Sequence, residues 1–292
     1  MVSMTKIMSL VALMMTLVPV SVAQTDRCGL SPELEESVNR LLQSGSHYNY
    51  SGTLLVEYGS DREFVAVNAR QGQDNLLTRL SRRAGAPLET VIAERREAAT
   101  ACSLARLYAF SAETPQVVAG RATWRLSIRP RDTLRLGYLM DVDVQSGLPL
   151  RVVSATPDGQ VLERFEFAQF QLGDHSQAVQ LPTATPKPIS TVAVTSTPRF
   201  RFAGLPPGFT LVGRDDSPVA HAVVSDGLAS ASVFIEPQPK ALAAGEGVVL
   251  RGSTLTYTRG TPNSYLITVM GEVPITTARL FADAVRVMTN GS

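Results

Sequence analysis

Apolar and polar residues alternate with period two in three separate stretches of this chain, and a chain patterned in this way buries one face of a pleated sheet. In SHYNYSGTLLVEY, Tyr48, Tyr50, Leu54, Val56 and Tyr58 are apolar, with Asn49, Ser51, Thr53 and Glu57 between them. GRATWRLSIRPRD sets Trp124, Leu126 and Ile128 against Thr123, Arg125, Ser127 and Arg129. LGYLMDVDV sets Tyr138, Met140, Val142 and Val144 against Asp141 and Asp143. Gln145-Ser146-Gly147 and Pro157-Asp158-Gly159 supply turn chemistry between such runs, so the strands are expected to follow one another as an antiparallel meander. A helix is expected ahead of them in SPELEESVNRLLQSG, where Ser31 can cap and Leu34, Val38, Leu41 and Leu42 form one stripe. DNLLTRLSRRAGAPLETVIAER fits a helix through Leu76, Leu77 and Leu80 and equally a hairpin closed at Gly85-Ala86-Pro87; its strand neighbours favour the hairpin.

The alternation stops at Gly173. From there to Pro198 the chain reads GDHSQAVQLPTATPKPISTVAVTSTP, rich in proline, threonine and serine and nearly free of charge, which is linker composition. A second body starts at Arg199, with short strand-like runs, and ends in PITTARLFADAVRVM. There Ala278, Phe281, Ala282, Val285 and Met288 share a helix face and Arg279 can pair with Asp283. Two domains are therefore expected, 24–172 and 199–292, joined by the linker 173–198, and a length of 292 residues accommodates both. Residues 1–23 read as a cleaved secretory signal, with Lys6, an apolar run from Ile7 to Val18 that Pro19 ends, and small residues at Ser21 and Ala23. Export makes Cys28 and Cys102 natural disulfide partners, a closure that contributes on the order of 4 kcal/mol through the unfolded state; two unpaired cysteines remain the alternative. The charged Thr25-Asp26-Arg27 before Cys28 is unlike a lipidation signal.

A net charge of +1 gives no electrostatic footprint for nucleic acid. The chemistry-bearing residues are as sparse. VVSDGLASASVFIEP places Ser225 four positions after His221, but on one extended strand their separation is roughly 13 Å, beyond the reach of a general base. No G-x-S-x-G elbow occurs, and three scattered histidines with two distant cysteines match no metal spacing. GEGVVLRG lacks the third glycine of a dinucleotide loop and reads as a turn, while RPRDTLR, with Arg129, Arg131, Asp132 and Arg135, reads as a solvated strand edge before it reads as a binding patch. No enzyme and no cofactor are expected. The stripe Tyr48, Tyr50, Leu54, Val56 and Tyr58, with Trp124, Leu126 and Ile128, is either an ordinary core face or the concave side of a curved sheet that takes a lipid.

YSGTLLVEY, RPRDTLRLGYLMDVDVQSGLPLRVV, DGQVLERFEF, LPPGFTLV, VVSDGLASASVFIEP and ITVMGEVPITTARLFADAV resemble, in order, the RseB/MucB family of periplasmic sigma-factor regulators. The resemblance implies an α+β chain: a half-barrel of antiparallel strands closed by helices, as in the lipoprotein carriers LolA and LolB, and a smaller mixed α/β second domain with a terminal helix. It implies a soluble periplasmic protein that caps the periplasmic part of a membrane-embedded anti-sigma factor of the RseA/MucA type and hinders its proteolysis. Lipoprotein acyl chains or lipopolysaccharide release it. On this reading the apolar stripe is the lipid face, Ser225, Asp226, Gly227 and Leu228 belong to the partner-binding domain, and the chain is compatible with a homo-oligomer. A lipid carrier without an anti-sigma partner is the rival reading. The segment from Ala93 to Val117 is shorter than in the family, which bears on the size of any lipid cavity.

Overall fold

The computed structural model describes residues 28–44, 48–69, 99–173, 199–215, 219–240 and 245–288. The signal segment, the ambiguous DNLLTRLSRRAGAPLETVIAER stretch and the linker after Gly173 lie outside the described residues. In the first domain α1 (Pro32–Ser44) precedes the hairpin β1 (Tyr50–Tyr58) and β2 (Asp61–Ala69); the one-turn α2 (Ala101–Ala105) leads into β3 (Tyr108–Val118), β4 (Arg121–Pro130), β5 (Gly137–Asp143), β6 (Pro149–Ala155) and β7 (Val161–Leu172). All pairings are antiparallel and the sheet runs β2-β1-β7-β6-β5-β4-β3, so β3 to β7 form the expected meander and the β1-β2 hairpin docks beside its last strand.

The two faces of this sheet differ in kind. One carries Leu54, Val56, Leu126, Ile128, Met140 and Phe167 into a single cluster with Val38 and Leu41 of α1 and Leu104 of α2. The other carries a ladder of charges that alternate in sign from strand to strand. Arg125 forks onto Asp141 at 2.8 and 2.9 Å, and Arg151 bridges Asp141 at 2.9 Å to Glu166 at 2.8 Å. Arg164 continues it from Glu166 at 2.8 Å toward Glu57 at 3.9 Å, which holds Arg62 at 2.7 Å. Opposite charges directly across a ladder stabilise the pairing, and they fix which face meets water. Arg151 holds the Glu166 carboxyl below its ordinary range. Burial alone would raise Asp143, but hydrogen bonds from Arg121 and Ser146 prevail and lower it.

The second domain opens with β8 (Arg199–Phe202) and continues through β9 (Thr210–Asp215), β10 (Ala220–Ser225), β11 (Ser230–Pro237), β12 (Glu246–Arg251), β13 (Thr254–Gly260) and β14 (Tyr265–Gly271) to α3 (Ile275–Ala284) and β15 (Val285–Met288). Its sheet runs β12-β13-β14-β11-β10-β9, and α3 covers one face through Ala278, Phe281 and Ala282. Three sequence expectations are corrected here. The terminal helix ends at Ala284, because Val285 to Met288 pair with β8 as a two-stranded ribbon. Arg279 reaches Glu246 at 2.8 Å, and Asp283 takes Arg259 instead. GEGVVLRG contributes the edge strand β12, not just a turn.

Backbones approach closely at Gly52 of β1, beside the irregularity at Thr53/Leu54, where a Cβ would overlap the carbonyl oxygen of Gln169 on β7. Backbone cannot retreat as a flexible side chain can. Gly52→Ala is expected to destabilise the first domain by about 1–3 kcal/mol. This would be read as a lower urea midpoint by far-UV circular dichroism, and an unchanged midpoint would contradict the close approach.

Candidate functional site: the joint between the domains

The Ser-Asp-Gly turn joins β10 to β11 as a hairpin, and every side-chain polar atom in it is used. The Ser225 hydroxyl donates to the Ala229 carbonyl at 2.9 Å and accepts from the Gly227 amide at 3.0 Å. Asp226 Oδ1 accepts the amides of Leu228 and Ala229 at 2.9 and 2.8 Å. Gly227 adopts φ 101°, and a Cβ there would sit 2.6 Å from that of Ala99 in the first domain. Glycine is needed both for the turn and for the approach. Ser225 is thus a turn residue, while His221 stacks on Phe234 with ring centroids 4.4 Å apart. Val224, rather than Val223, faces the core, where it pairs with Ala231.

The other oxygen of Asp226 crosses to the first domain. Oδ2 accepts the Tyr108 hydroxyl at 2.8 Å and Arg135 Nε at 2.7 Å, and both members of the ion pair are fully buried. Arg135 also donates to Asp132 and to the carbonyl oxygen of Pro207, and its guanidinium lies 4.7 Å above the centre of the Phe209 ring. Here the structure corrects the reading of RPRDTLR as a solvated edge. Arg129 and Arg131 are exposed, but Arg135 is a buried tie between domains. Burial, reinforced by Asp226, pushes the Tyr108 hydroxyl well above its ordinary value, so it remains a donor.

Neutral contacts surround this tie. Thr277 of α3 donates to the Leu134 carbonyl at 2.7 Å, and Leu228 packs against the first-domain cluster. Leu107 lies against Gly208, 2.7 Å from where a Cβ would be. Glu163 of β7 accepts Ser253 Oγ at 2.6 Å and the Ser253 amide at 3.1 Å, and Arg251 donates to the Tyr58 hydroxyl at 2.7 Å. Cys28 and Cys102 form a disulfide with an S–S distance of 2.23 Å, which fastens the chain before α1 to α2, the helix that presents Leu104 to the joint. RPRDTLRLGY, DGQVLERF, LPPGF, SDGL and GEVPITTA, far apart in sequence, therefore meet in one place.

The residues of the apolar stripe have two environments. Tyr50, Leu54, Val56, Leu126 and Ile128 are buried in the core, whereas Tyr48, Tyr58 and Trp124 are half-buried around it, with Arg40 5.2 Å from the Trp124 ring centre. Arg135 was legible only as one of several arginines, and its only distinguishing signal was its place just before the strand Gly137–Asp143.

Removing one partner of a buried ion pair strands the other. Asp226→Ala and Arg135→Ala should each cost about 3–5 kcal/mol. The double variant should cost much less than the sum, which a double-mutant cycle in urea checks; additive effects would show that the pair is not coupled.

Two family models match the chain: MucB/RseB N-terminal domain over residues 57–185 and MucB/RseB C-terminal domain over residues 194–286. Among curated relatives, the sigma factor AlgU regulatory protein MucB of Pseudomonas aeruginosa is 35% identical over 182 residues, 58% of this chain and 57% of that protein. The sigma-E factor regulatory protein RseB of Escherichia coli is 29% identical over 181 residues, 58% of this chain and 56% of that protein. These matches thus span a little over half the length of the relatives. Among solved structures, the complex of Pseudomonas aeruginosa MucA and MucB matches with a TM-score of 0.63 at 27% identity, covering 88% of this chain and 99% of that one. A structure of MucB itself gives 0.60 at 26% identity, with the same coverage. With both halves matched by one family's models and most of the chain similar to that family's solved structures, this chain belongs to the MucB/RseB family.

Proposed function

We propose that the chain is a periplasmic negative regulator of an envelope-stress sigma factor. It binds the periplasmic part of an RseA/MucA-type anti-sigma factor and hinders its regulated proteolysis. The observation that carries this reading is the likeness, across both domains at once, to MucB in a complex with MucA. A fold shared by one domain alone would say less, because function resides in sites and not in folds. The joint gives the reading a physical form. Ser225, Asp226, Gly227 and Leu228 act on the partner through the arrangement of the domains, since the Ser225 hydroxyl and one Asp226 oxygen are already engaged within the turn and the other Asp226 oxygen across the joint.

On the same reading the first domain is a half-barrel closed by helices that receives the acyl part of a lipid-bearing signal. The half-buried Tyr48, Tyr58 and Trp124 are the first residues of the stripe that such a chain meets; Tyr50, Leu54, Val56, Leu126 and Ile128 line the wall behind them. Release of the anti-sigma factor by lipid is a coupling between two ligands, so each weakens the other by the same factor.

Saturating this chain onto a purified anti-sigma periplasmic segment is expected to slow its first cut by the stress protease. Adding an acylated lipoprotein fragment or lipopolysaccharide restores the rate. Cleavage at an unchanged rate overturns the regulatory role, whereas slow cleavage that lipid leaves unaltered overturns only the lipid signal. Tyr48→Asp should blunt the lipid response while the chain still protects the segment.

A further inference from the structure

The disulfide stands beside the joint. Cys28 precedes α1, Cys102 lies in α2, and both are half-buried, so each sulfur is on the border between core and solvent. On its other side, α2 with its flanks forms the wall that receives the second domain. Ala99 stands 2.6 Å and Leu104 3.4 Å from where a Cβ on Gly227 would be, and Leu107 stands 2.7 Å from where one on Gly208 would be. The Ser-Asp-Gly turn and the LPPGF run are thus seated on residues 99–107. The same segment also positions the buried ion pair. The Leu107 carbonyl accepts the Arg131 amide at 2.9 Å and the Ala105 carbonyl accepts Arg131 Nε at 3.0 Å, just ahead of Arg135, while the adjoining Tyr108 donates to Asp226.

A helix of five residues is too short to stand by itself. Thr100 and Ser103 cap α2 from within, Ala101 and Leu104 are buried, and the Ala101 amide donates to Asn39 Oδ1 of α1 at 2.8 Å. The bond to Cys28 adds a covalent tie across 74 positions. Glu35 Oε1, in the first turn of α1, lies 3.6 Å from Cys102 Sγ, so a Cys102 thiol has an acceptor at hand. Opening the bridge therefore exchanges a covalent hold on α2 for a weak hydrogen bond.

We propose that Cys28–Cys102 is a thiol–disulfide exchange site that sets how firmly the two domains are held, and that its substrate is a dithiol reductant. A thiolate of the reductant attacks Cys28 Sγ, the S–S bond breaks, and Cys102 leaves as a thiolate that takes up a proton. The second thiol of the reductant then loses its proton and closes a disulfide on the first, and Cys28 leaves as a thiolate that takes that proton. Two electrons pass to the chain, and the reductant is oxidised to its own disulfide. In the oxidised form α2 is fixed where the Ser-Asp-Gly turn seats. In the reduced form it shifts more freely and the joint loosens. Such control operates whatever partner the chain binds.

The chain has two cysteines, so a reductant opens no other bond in it. Hydrogen exchange of the full chain, read by mass spectrometry with and without dithiothreitol at one pH, tests the proposal, with thiol titration to show that the bridge has opened. Two stretches of the second domain, which contains no disulfide, are compared: 225–230 at the joint and 265–270 in β14. Protection at 225–230 should fall on the order of tenfold on reduction while that at 265–270 is unchanged. Equal protection at 225–230 in both forms overturns the proposal, and so does an equal fall in both stretches, which would mean that the second domain unfolds and is not merely released. Removing the reductant and re-forming the bridge should restore protection at 225–230; protection that stays low overturns it. The double variant Cys28→Ser, Cys102→Ser should match the reduced chain with or without dithiothreitol, and a variant that still responds overturns it too. Should that variant fail to fold, reduction and reoxidation of the wild type decide.

Discussion

The buried ion pair between Arg135 and Asp226 is the constraint on which the two-domain arrangement depends. A guanidinium and a carboxylate taken out of water demand several well-placed partners each, or the desolvation cost is not met. Both sides of the joint are shaped to supply them. Asp226 receives two amides of its own turn, one tyrosine hydroxyl and the guanidinium; Arg135 receives Asp226, Asp132 and a carbonyl oxygen. An apolar patch would tolerate sliding of one domain over the other. Directional bonds select one orientation, and the close approaches at Gly208 and Gly227 are possible only in it.

That arrangement also explains what could and could not be seen in the sequence. The alternation in β1, β4 and β5 was legible because period two is a local property, and the meander followed from turns at Gly147 and Gly159, both at positive φ. Arg135 was not legible, because its burial depends on an acid 91 positions away, and RPRDTLR by itself has the composition of a solvated segment. The end of α3 was misjudged because Val285 and Met288 continue the helical stripe; pairing of Val285 to Met288 with Phe202 to Arg199, nearly a whole domain away, decides it. The resemblance supplied the stretches that turn out to meet, but not the fact that they meet.

The charge ladder settles a question that alternation left open. Every strand of a two-faced sheet offers two sets of side chains, and period two alone does not say which set is inside. The row from Arg125 to Arg62 commits one face of the first sheet to water over six strands. An apolar ligand of that domain is thereby confined to the face that α1 and α2 share, where the half-buried aromatics lie. It also spends Arg62, Arg125, Arg151 and Arg164 on neighbouring carboxylates.

Ladder and joint together give the protein two populations of carboxyl groups that respond to acid in opposite directions. Where a guanidinium is within reach, as at Glu166, the folded state favours the ion, and its stabilisation is lost only when pH falls below the ordinary carboxylate range. Where the neighbour is another acid, as at Glu272, the folded state favours the proton, and the loss comes as pH rises toward neutrality. The two windows hardly overlap. The difference rests on burial and on the neighbour: Arg151 acts on Glu166, whereas desolvation and then Glu163 act on Glu272.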